Sequence, residues 1–322
     1  MTTPSLSIVV TGRNDGYGGD FNERFFTAAR FNLDRFREHG VTCELLLVEW
    51  NPIAGKPSLC ELLPRHVREG DGVQFTRMVV DPAYHAAMTQ NPRLEYLELL
   101  AKNVGIRRVA APWVVVTNTD VLFGREVVSA IAGATLAEGT LYRAPRFDIT
   151  LGVDQNHLAW DALEDPANHA RRPALKPPLL TGGSGDFVLA HRSTLQALRG
   201  YNEVYRAARI GVDSNFLVKA YGAGVPLADI GGPVYHINHV GSLRISKTLY
   251  RDAAADSAWG NMRWHARHVV YNNPDDWGLA KAPSRMLPDG SICLDFDWAA
   301  VPPLVELRRV VLPVRRPAAG EI

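Results

Sequence analysis

The chain has 322 residues, of which 46% are hydrophobic and 21% are charged, and its formal net charge is +1. This composition is typical of a globular protein with one large domain or two fused halves. Because so small a net charge sets up no strong field, we expect neither nucleic acid nor an anionic membrane as a partner.

Apolar runs alternate with helical patterns over the first 125 residues. Four strands are predicted, at LSIVV, CELLLVEW, VQFTRMVV and WVVVTNTD. Apolar residues at helical spacing predict one helix in FNERFFTAARFNLDRFREHG, closed by Gly40, and another in RLEYLELLAKNVGIRRVAA, ended by Pro112. Alternation of this kind predicts an α/β fold, with a mostly parallel sheet covered by helices on both faces.

The regular alternation ends after about residue 125. REVVSAIAGATLAEG is predicted as a helix, TLYRAPRFDI as one strand, and the region from about 148 to 180 as a long polar loop. GDFVLAHRSTLQALRGYNE predicts a strand and a short helix, VDSNFLVKAYGAG a helix, and VYHINH the end of a strand. The tail predicts a helix in TLYRDAAADSAWGNMRWHARHVV and then proline-rich loops.

Cysteine usage and the amino terminus bear on the compartment. Cys43, Cys60 and Cys293 are too few for a disulfide framework and lack the spacing of a zinc site, which fits a reducing environment. MTTPSLSIVV has no basic segment followed by an apolar stretch, so we predict no signal peptide. No run approaches the roughly 18 apolar residues that span a bilayer. We therefore expect a cytoplasmic protein without a transmembrane segment.

A glycine-rich loop, TGRNDGYGGDF, follows the first predicted strand. Its glycines match neither the G-x-G-x-x-G spacing of a dinucleotide site nor the G-K-[ST] of a phosphate loop. A flexible turn is the simpler interpretation. The loop nevertheless lies at the carboxyl end of a parallel strand, where open α/β sheets bind ligands. Arg13, Asn14 and Asp15 are therefore placed to meet a base, a ribose or a diphosphate.

Asp120 directly follows the buried strand in VVVTNTDVLFG. It is either a cap of the next helix or a carboxylate facing a divalent cation that holds a diphosphate. Such a cation needs further ligands, and VYHINH supplies His236 and His239, a pair that by itself is more often structural. Residues three apart on a strand face opposite sides, so both can bind one ion only if the backbone turns at Ile237–Asn238.

These segments, taken in order, resemble the GT-A fold glycosyltransferases, especially their large second family. Its members often carry an Asn, a Gly and an Ala before their metal-binding aspartates, and Asn103, Gly105 and Ala110 match these. TGGSGDFVLAHR, RGYNE, GVDSNFLVKAYGAG and YHINH resemble, in that order, motifs of the β-1,4-galactosyltransferase group and of chondroitin-type polymerases. The resemblance covers residues 6 to about 242, three quarters of the chain.

The resemblance implies a Rossmann-like GT-A fold, in a single catalytic domain with a C-terminal extension. Residues 1–124 are implied to bind the nucleotide-sugar, residues 125–245 to form the acceptor and catalytic half, and residues 246–322 to form a helical and loop extension. The implied activity is inverting transfer of a sugar from a nucleotide-diphosphate donor, such as a UDP-sugar, to a hydroxyl of a carbohydrate or glycoconjugate acceptor. The implied cofactor is Mn²⁺ or Mg²⁺.

Individual roles follow from the same resemblance. Asp120, His236 and His239 are implied as the metal ligands. Asp213 is implied as the general base, with Asp186 as the alternative, although Asp213 could also be a helix N-cap. The residues implied to bind the nucleotide are Thr11, Arg13, Asn14, Glu49, Asn103, Arg107, Asn118 and Thr119.

Two positions depart from the family pattern. Asn118 replaces the first acid of the D-x-D signature, but an Asn side chain still hydrogen-bonds a ribose hydroxyl. Val212 replaces the acid that usually precedes the catalytic aspartate, which removes a carboxylate that often binds the acceptor sugar. In the long polar loop, Trp160, His157 and Asp161 place an aromatic face beside polar groups, which suits either a sugar or simple loop packing.

Two other functions stay open. A sugar-phosphate nucleotidyltransferase shares the half-sheet and the metal chemistry, but TGRNDGYGG lacks the G-x-G-[ST]-R order and the following lysine typical of that class. A non-catalytic sugar- or nucleotide-binding module with a degenerate fold is favoured by Val212 and Asn118. Metal-dependent nucleotide binding with slow donor hydrolysis distinguishes an enzyme from such a module.

Overall fold

The computed structural model describes residues 3–150, 154, 158–171, 175–207, 212–239 and 265–305. Its first half alternates strands and helices, as the sequence predicts. The strands are β1 Leu6–Gly12, β2 Cys43–Trp50, β3 Val73–Val80 and β4 Trp113–Thr117. The helices are α1 Phe21–Glu38, α2 Leu59–His66, α3 Pro82–Met88 and α4 Glu98–Arg108.

The second half is built from shorter elements. Its strands are β5 Val121–Phe123, β6 Leu141–Arg143, β7 Arg146–Ile149, β8 His169–Arg171, β9 Phe187–His191, β10 Leu227–Asp229, β11 Val234–His236, β12 Ser284–Met286 and β13 Ile292–Leu294. Its helices are α5 Arg125–Ala132, α6 Trp160–Glu164, α7 Arg192–Ala197 and α8 Asn215–Gly222. Two 3₁₀ turns cover Pro166–Asn168 and Trp298–Ala300.

Nine strands form the main sheet, in the order β10-β6-β9-β4-β1-β2-β3-β13-β12. Neighbours are parallel except where β9 and β12 run opposite to the rest. Every residue of β1 and β2 is buried, because helices cover both faces. The predicted α/β class, with a mostly parallel sheet flanked by helices, is confirmed.

A second sheet of four strands has the order β5-β11-β7-β8. It exists because TLYRAPRFDI, predicted as one strand, divides at Pro145 into β6 and β7. Proline has no N–H for a strand ladder, and here its carbonyl accepts from Val234 N at 2.8 Å, which starts the pairing with β11. The predicted loop from 148 to 180 also contains α6 and β8.

The core consists of one apolar cluster on each face of the main sheet. Helices α4, α7 and α8 contribute to one cluster, and α1, α2 and α5 to the other. Gly105 of α4 packs directly on β1, since a Cβ there would lie 2.5 Å from Val9 Cγ1. This close packing brings α4 to the edge of the sheet where the polar residues gather.

The tail contributes strands to the main sheet. β13 pairs in parallel with β3, and β12 forms the edge, where the sequence predicted only helix and loops. Most of the predicted tail helix lies outside the described residues, and a helix is present over 265–268. Among the described residues, none of the helices has the length and apolar character needed to cross a membrane.

Candidate active site

A cavity of about 1190 Å³ opens where β1 and β4 end and the antiparallel β9 begins. Thr11 from β1, Asn118 after β4 and Asp186 before β9 all line it. Crevices at the carboxyl ends of parallel strands are the usual ligand sites of open α/β sheets. The structure therefore brings Thr11, Asn118 and Asp186, which come from separate parts of the sequence, to one cavity.

Asp120, His236 and His239 form a buried cluster on the wall of this cavity. Their ligand atoms all lie within 4.8 Å of one another. His236 Nε2 is 3.4 Å and His239 Nε2 3.8 Å from Asp120 Oδ2. Two imidazole nitrogens and one carboxylate oxygen thus converge on one point, which is the donor set of a three-ligand metal site.

Backbone pairing accounts for this convergence. β11 pairs with β5, which places His236 opposite Val121, the residue after Asp120. The strand then ends, and Ile237 N donates to Asp120 O at 2.9 Å while His239 N donates to Asn238 Oδ1 at 3.0 Å. The chain turns at Ile237–Asn238, as both histidines require in order to face one ion.

Asp148 orients His236 from behind. β7 pairs with β11 so that Asp148 lies opposite His236, and its Oδ1 is 3.1 Å from His236 Nδ1. A carboxylate on Nδ1 selects the tautomer that leaves Nε2 for a metal. Burial by itself would lower the pKa of His236, but Asp120 and Asp148 outweigh it and raise the pKa to about 9. At neutral pH this raised pKa favours the protonated imidazole.

Arg24 of α1 adds a buried cation to the cluster. Its side chain is fully buried, with Nε 3.6 Å from Asp120 Oδ2 and an ion pair to Asp20. Burial would raise the pKa of Asp120, but the positive charge around it outweighs burial and lowers the pKa. That charge comes from His236, Arg24 and His239. Asp120 is therefore held as an anion.

The glycine-rich loop lies on the same cluster. Tyr17 packs edge-on against His239, with ring centroids 5.1 Å apart. Gly18 has φ +75°, and a Cβ there would lie 2.6 Å from His239 Nδ1, so the loop approaches the imidazole as closely as only glycine allows. Arg24 Nη2 donates to Tyr17 O at 2.9 Å. The sequence allowed this loop to be either a flexible turn or a ligand site. In the structure the loop packs against His239 of the Asp120–His236–His239 cluster.

A second group of acids lies elsewhere in the cavity, around Gly185. A Cβ on Gly185 would be 3.3 Å from Asp213 Oδ2 and 3.8 Å from both Glu98 Oε1 and Asn118 Nδ2. Burial, followed by the negative charge of Glu98, raises the pKa of Asp213, while Lys102 opposes the rise. Asp213 thus has a greater proton affinity than an ordinary aspartate.

Side-chain hydrogen bonds connect these acids to the metal cluster. Lys102, fully buried, donates to Glu98 Oε1 at 2.7 Å and to Asn118 Oδ1 at 2.8 Å. Asn118 Nδ2 donates to Asp186 Oδ1 at 2.9 Å. Arg146 donates to Asp186 Oδ2 at 2.7 Å and, through Nε, to Asp148 Oδ1 at 2.9 Å. Asp186 is held by both a guanidinium and an amide, and within the described part of the chain no such hydrogen bond to Asp213 is present.

The helix-cap alternative for Asp213 is not what the structure contains. The N-cap of α8 is Ser214, and no side-chain hydrogen bond caps this helix. Asp213 precedes it and lines the cavity. Val212, which stands where the family pattern has an acid, is buried in the core, and α8 itself contains no acidic residue.

Four of the residues implied to bind nucleotide line the cavity: Thr11, Arg13, Asn118 and Thr119. Tyr96 donates its hydroxyl to Thr11 Oγ1. Arg13 donates to Asn51 O at 2.8 Å and to Glu95 Oε2 at 2.7 Å. Tyr96 and Glu95 also line the cavity, so this end combines an aromatic ring with a guanidinium and a carboxylate.

The other four lie outside the cavity lining. Asn14 donates to Pro57 O at 2.8 Å. Glu49 accepts from Ser58 Oγ and Leu59 N, at the start of α2. The remaining two lie on α4.

Asn103 and Arg107 of α4 face away from the cavity. Asn103 holds the Tyr201 backbone through two hydrogen bonds of 2.7 Å each. Asn103 Nδ2 donates to Tyr201 O, and Tyr201 N donates to Asn103 Oδ1. The Arg107 guanidinium lies over the Trp277 ring, 5.2 Å from its centroid. The family resemblance implied a nucleotide-binding role for both residues, but on α4 they pack against Tyr201 and Trp277.

Trp160 does not form a sugar platform among the described residues. It is buried, and its Nε1 donates to Phe123 O at 3.1 Å. Arg125 covers the ring and pairs with exposed Asp161 at 2.9 Å. His157 lies outside the described residues. The loop-packing interpretation therefore holds for Trp160 and Asp161, neither of which lines the cavity.

Comparisons with known proteins give distant likenesses only. No protein-family model matches the chain, and no curated protein matches it. Among solved structures, it is similar to a mutant of Drosophila β-1,4-galactosyltransferase 7 in complex with manganese, UDP-Gal and xylobiose, at 11% identity and a TM-score of 0.46, over 92% of this chain and 96% of that one. S. aureus TarS 1-349 is similar at 13% identity and a TM-score of 0.41, over 72% of this chain and 60% of that one. GalNAc-T7 with UDP, GalNAc and Mn²⁺ is similar at 13% identity and a TM-score of 0.44, over 81% and 48%.

Proposed function

We propose that this chain is a metal-dependent inverting glycosyltransferase, which moves a sugar from a nucleotide-diphosphate donor to a hydroxyl acceptor. The observation that carries the proposal is the presence, in one cavity, of the Asp120–His236–His239 cluster and of Asp213 with its raised pKa. The first can hold a cation against a diphosphate, and the second can take a proton from a hydroxyl.

The donor set fits a transition-metal ion such as Mn²⁺ better than Mg²⁺. Imidazole is a poor ligand for Mg²⁺, which prefers oxygen and keeps much of its water. Asp148 Oδ1 lies 3.1 Å from His236 Nδ1, on the side where metal-binding histidines normally have a carboxylate or carbonyl partner. When bound, such an ion offsets the negative charge that grows on the departing diphosphate.

Asp213 is the proposed base. As an acceptor hydroxyl oxygen bonds to the anomeric carbon, the bond from that carbon to the diphosphate oxygen breaks and the configuration inverts. The hydroxyl proton passes to Asp213. A positioned base of this kind contributes about 10²- to 10⁴-fold to the rate. Its raised pKa favours this role, because a base accepts a proton best when its pKa approaches the working pH.

Asp186 is the weaker candidate for the base. Its carboxylate already accepts from Asn118 through Oδ1 and forms an ion pair with Arg146 through Oδ2, so both of its oxygens have partners. We assign Asp186 a structural role, as the link between the carboxylates around Gly185 and the outer partner of the metal cluster.

The nucleotide is proposed to occupy the cavity end formed by Thr11, Arg13 and Tyr96. Its diphosphate would then reach the metal cluster past Asn118 and Thr119, which line the cavity beside Asp120. The residues proposed to contact the nucleotide come from the end of β1 and the loop after it, from the segment before α4 and from the strand end after β4.

Calorimetry with UDP, in the presence and absence of Mn²⁺, tests the proposal together with a donor-hydrolysis assay. We expect UDP to bind tightly only with Mn²⁺ and a UDP-sugar to be hydrolysed slowly without an acceptor. GDP and ADP in the same titrations identify the base. A chain that binds no nucleoside diphosphate with Mn²⁺, or that binds one without hydrolysing any of its sugar derivatives, would contradict the proposal.

A further inference from the structure

The loop before β9 directs its carbonyl oxygens towards one buried arginine. Arg143 of β6 is fully buried, and it donates to Gly182 O at 3.0 Å, to Gly183 O at 2.8 Å and to Ser184 O at 3.3 Å. Its Nε also donates to Leu180 O at 3.5 Å. Successive peptide groups of this loop are therefore oriented by a single guanidinium.

The N–H groups of the same peptides point the other way. In a planar trans peptide, the carbonyl of one residue and the N–H of the next residue point in opposite directions. The N–H groups of Gly183, Ser184 and Gly185 therefore point away from Arg143, and all three residues line the cavity. Among the residues that the structure describes, none of these N–H groups donates a hydrogen bond. Three successive backbone donors thus face the cavity.

A tight turn fixes the direction of these donors. Gly183 has φ +57°, in the left-handed region that favours glycine, and Asp186 N donates to its carbonyl at 3.0 Å. A Cβ on Gly183 would lie 2.5 Å from Asp186 Oδ2, so a side chain at this position would disturb the turn. The donors are therefore held in place before any ligand arrives.

The charge of Arg143 favours an anion at these donors. Within the described ranges, Arg143 forms no ion pair with a carboxylate, and a buried cation without a paired anion is unfavourable. Its hydrogen bonds to the carbonyls polarise the peptide groups, which makes the N–H groups on their far side more positive. Rows of successive backbone N–H groups are known anion sites.

The nearby carboxylates leave the three donors open. Asp186 accepts from Asn118 through Oδ1 and from Arg146 through Oδ2. Asp213 Oδ2 lies 3.3 Å, and Asn118 Nδ2 3.8 Å, from the point where a Cβ on Gly185 would project. The row of donors therefore lies beside both the proposed base and the strand end that leads to the metal cluster.

We propose that the N–H groups of Gly183, Ser184 and Gly185 form an anion site in the cavity, built from residues other than those of the metal cluster. Its ligand is an oxyanion of the substrate, which is either a phosphate oxygen of the donor or a carboxylate of a sugar. The choice of these two sources rests on the proposed transferase function, whereas the anion site itself does not. The site holds the substrate through its charge and without a metal.

NMR of the full ¹⁵N-labelled chain in EDTA tests the site with inorganic phosphate, against sodium chloride at equal ionic strength. We expect the amide signals of Gly183, Ser184 and Gly185 to move and saturate with phosphate but not with chloride. Ser184→Pro removes one donor and should weaken phosphate binding about 10- to 100-fold, the effect of one hydrogen bond to a charged group. Ser184→Ala keeps the N–H group and should bind like wild type. Unmoved amide signals, or equal binding by the two variants, would overturn the proposal.

A second pair of variants tests the site without a proline in the turn. Arg143→Lys keeps a positive charge but has too few donors to hold all four carbonyls, so phosphate binding should weaken about tenfold or more. Arg108→Lys is the matched control, because Arg108 donates to Gly278 O at 2.7 Å and to Leu279 O at 2.8 Å, outside the cavity lining. Circular dichroism checks that both variants fold. A folded Arg143→Lys that binds phosphate as well as Arg108→Lys does would contradict the proposal.

Two pairs of ligands, titrated in EDTA, distinguish the sources of the anion. UDP and uridine differ by the diphosphate, and methyl glucuronide and methyl glucoside differ by the carboxylate. Larger shifts of the three amide signals with UDP than with uridine assign the site to the donor phosphate. Larger shifts with the glucuronide than with the glucoside assign it to a sugar carboxylate. If neither pair differs, the assignment to a substrate anion is overturned.

The failure of this proposal and the failure of the proposed function give different results. If the chain neither binds a nucleoside diphosphate with Mn²⁺ nor hydrolyses its sugar derivatives, the transferase function fails, while the phosphate titration still decides the anion site. If metal-dependent hydrolysis is present but phosphate moves none of the three amide signals, only the anion site is overturned.

Discussion

The two ends of the cavity treat an aspartate in opposite ways. At the metal end, Asp120 lies among a buried arginine and two histidines, which lower its pKa. At the other end, Asp213 lies beside Glu98 in a buried setting, which raises its pKa. Asp120 follows β4, Asp213 precedes α8, and both line the same cavity, so the difference arises from their neighbours and not from their residue type.

The comparison teaches how one fold obtains two kinds of chemistry from the same side chain. A carboxylate that stays ionised suits a cation, and a carboxylate with enhanced proton affinity suits a general base. Arg146 is the point where the two environments meet, since it pairs with Asp148 behind His236 and with Asp186 beside Asn118. The Arg146 guanidinium therefore lies between the carboxylates of Asp148 and Asp186 and connects the two ends of the cavity.

The largest expected effect comes from removing the charge at the metal end. Asp120→Asn keeps the side-chain volume but removes the anionic ligand, so the Mn²⁺-dependent part of UDP binding should disappear in calorimetry. The variant with Mn²⁺ should behave like EDTA-treated wild type. Arg24 keeps its pair with Asp20, so we expect the variant to stay folded, which circular dichroism checks. Mn²⁺-dependent binding equal to wild type would remove Asp120 from the metal site.

At the other end, Asp213→Asn should reduce turnover while leaving binding intact. The amide cannot take the acceptor proton, so kcat should fall by about two to four decades. Binding of Mn²⁺ and UDP should match wild type, because Asp213 is not part of the metal cluster. Asp229→Asn, at an exposed position of β10, is the control. Near-normal transfer by Asp213→Asn would shift the base to Asp186.

The sequence predicted the strands and the main acidic and histidine residues at both ends of the cavity, but not the buried charged residues that contact them. Continuous apolar runs predicted β1 to β4, residues at strand ends led to Asp120 and His236, and the family resemblance implied Asp213. Arg24, Lys102 and Asp148 were not predicted, because a lysine or arginine within a helical pattern looks like any surface charge. Their burial follows from the close packing of α1 and α4 and from the division of one predicted strand into β6 and β7.

The family resemblance predicted the order of the motifs better than it predicted the roles of single residues. Asn103 and Glu49 matched family positions, yet the first braces Tyr201 and the second accepts hydrogen bonds at the start of α2. Pattern matching cannot separate a buried polar residue that supports the backbone from one that faces a ligand. That distinction depends on which side of a helix meets the sheet.

Breaking the support behind the metal cluster should have a smaller effect than breaking the cluster. Asp148→Asn replaces the carboxylate on His236 Nδ1 with a neutral amide, which lowers the basicity of the imidazole. We expect Mn²⁺ affinity for the neutral imidazole, obtained by titrating across pH to separate proton competition, to fall about 10- to 100-fold, as for outer partners of metal-binding histidines. Asp34→Asn, in a surface pair with Arg37, is the control in the same titration. Equal Mn²⁺ affinity in both variants would show that Asp148 serves folding alone.

The smallest expected effect concerns the stability of the metal-free protein at alkaline pH. His236 has a pKa of about 9 in the folded state, above its ordinary value of 6.5, so the folded state binds its proton more tightly than the unfolded state. That stabilisation is complete below about pH 6.5 and is lost as the pH rises through about 9. Between pH 7 and 9.5, wild type in EDTA should lose about 2 kcal/mol of unfolding free energy more than His236→Gln.

Urea denaturation of the two proteins at each pH measures this difference, and groups that titrate in both proteins, such as Lys219, cancel in the comparison. The same proton competes with the metal, because a metal needs neutral imidazole. Mn²⁺ affinity should therefore rise with pH by up to about tenfold per unit between pH 6.5 and 8, with one proton released per ion. Parallel stability curves, together with Mn²⁺ binding independent of pH, would mean that His236 is neutral in the folded protein. The surroundings of Asp120 would then differ from those of Asp213 only in the positive charge of Arg24, and Mn²⁺ binding would release no proton from His236.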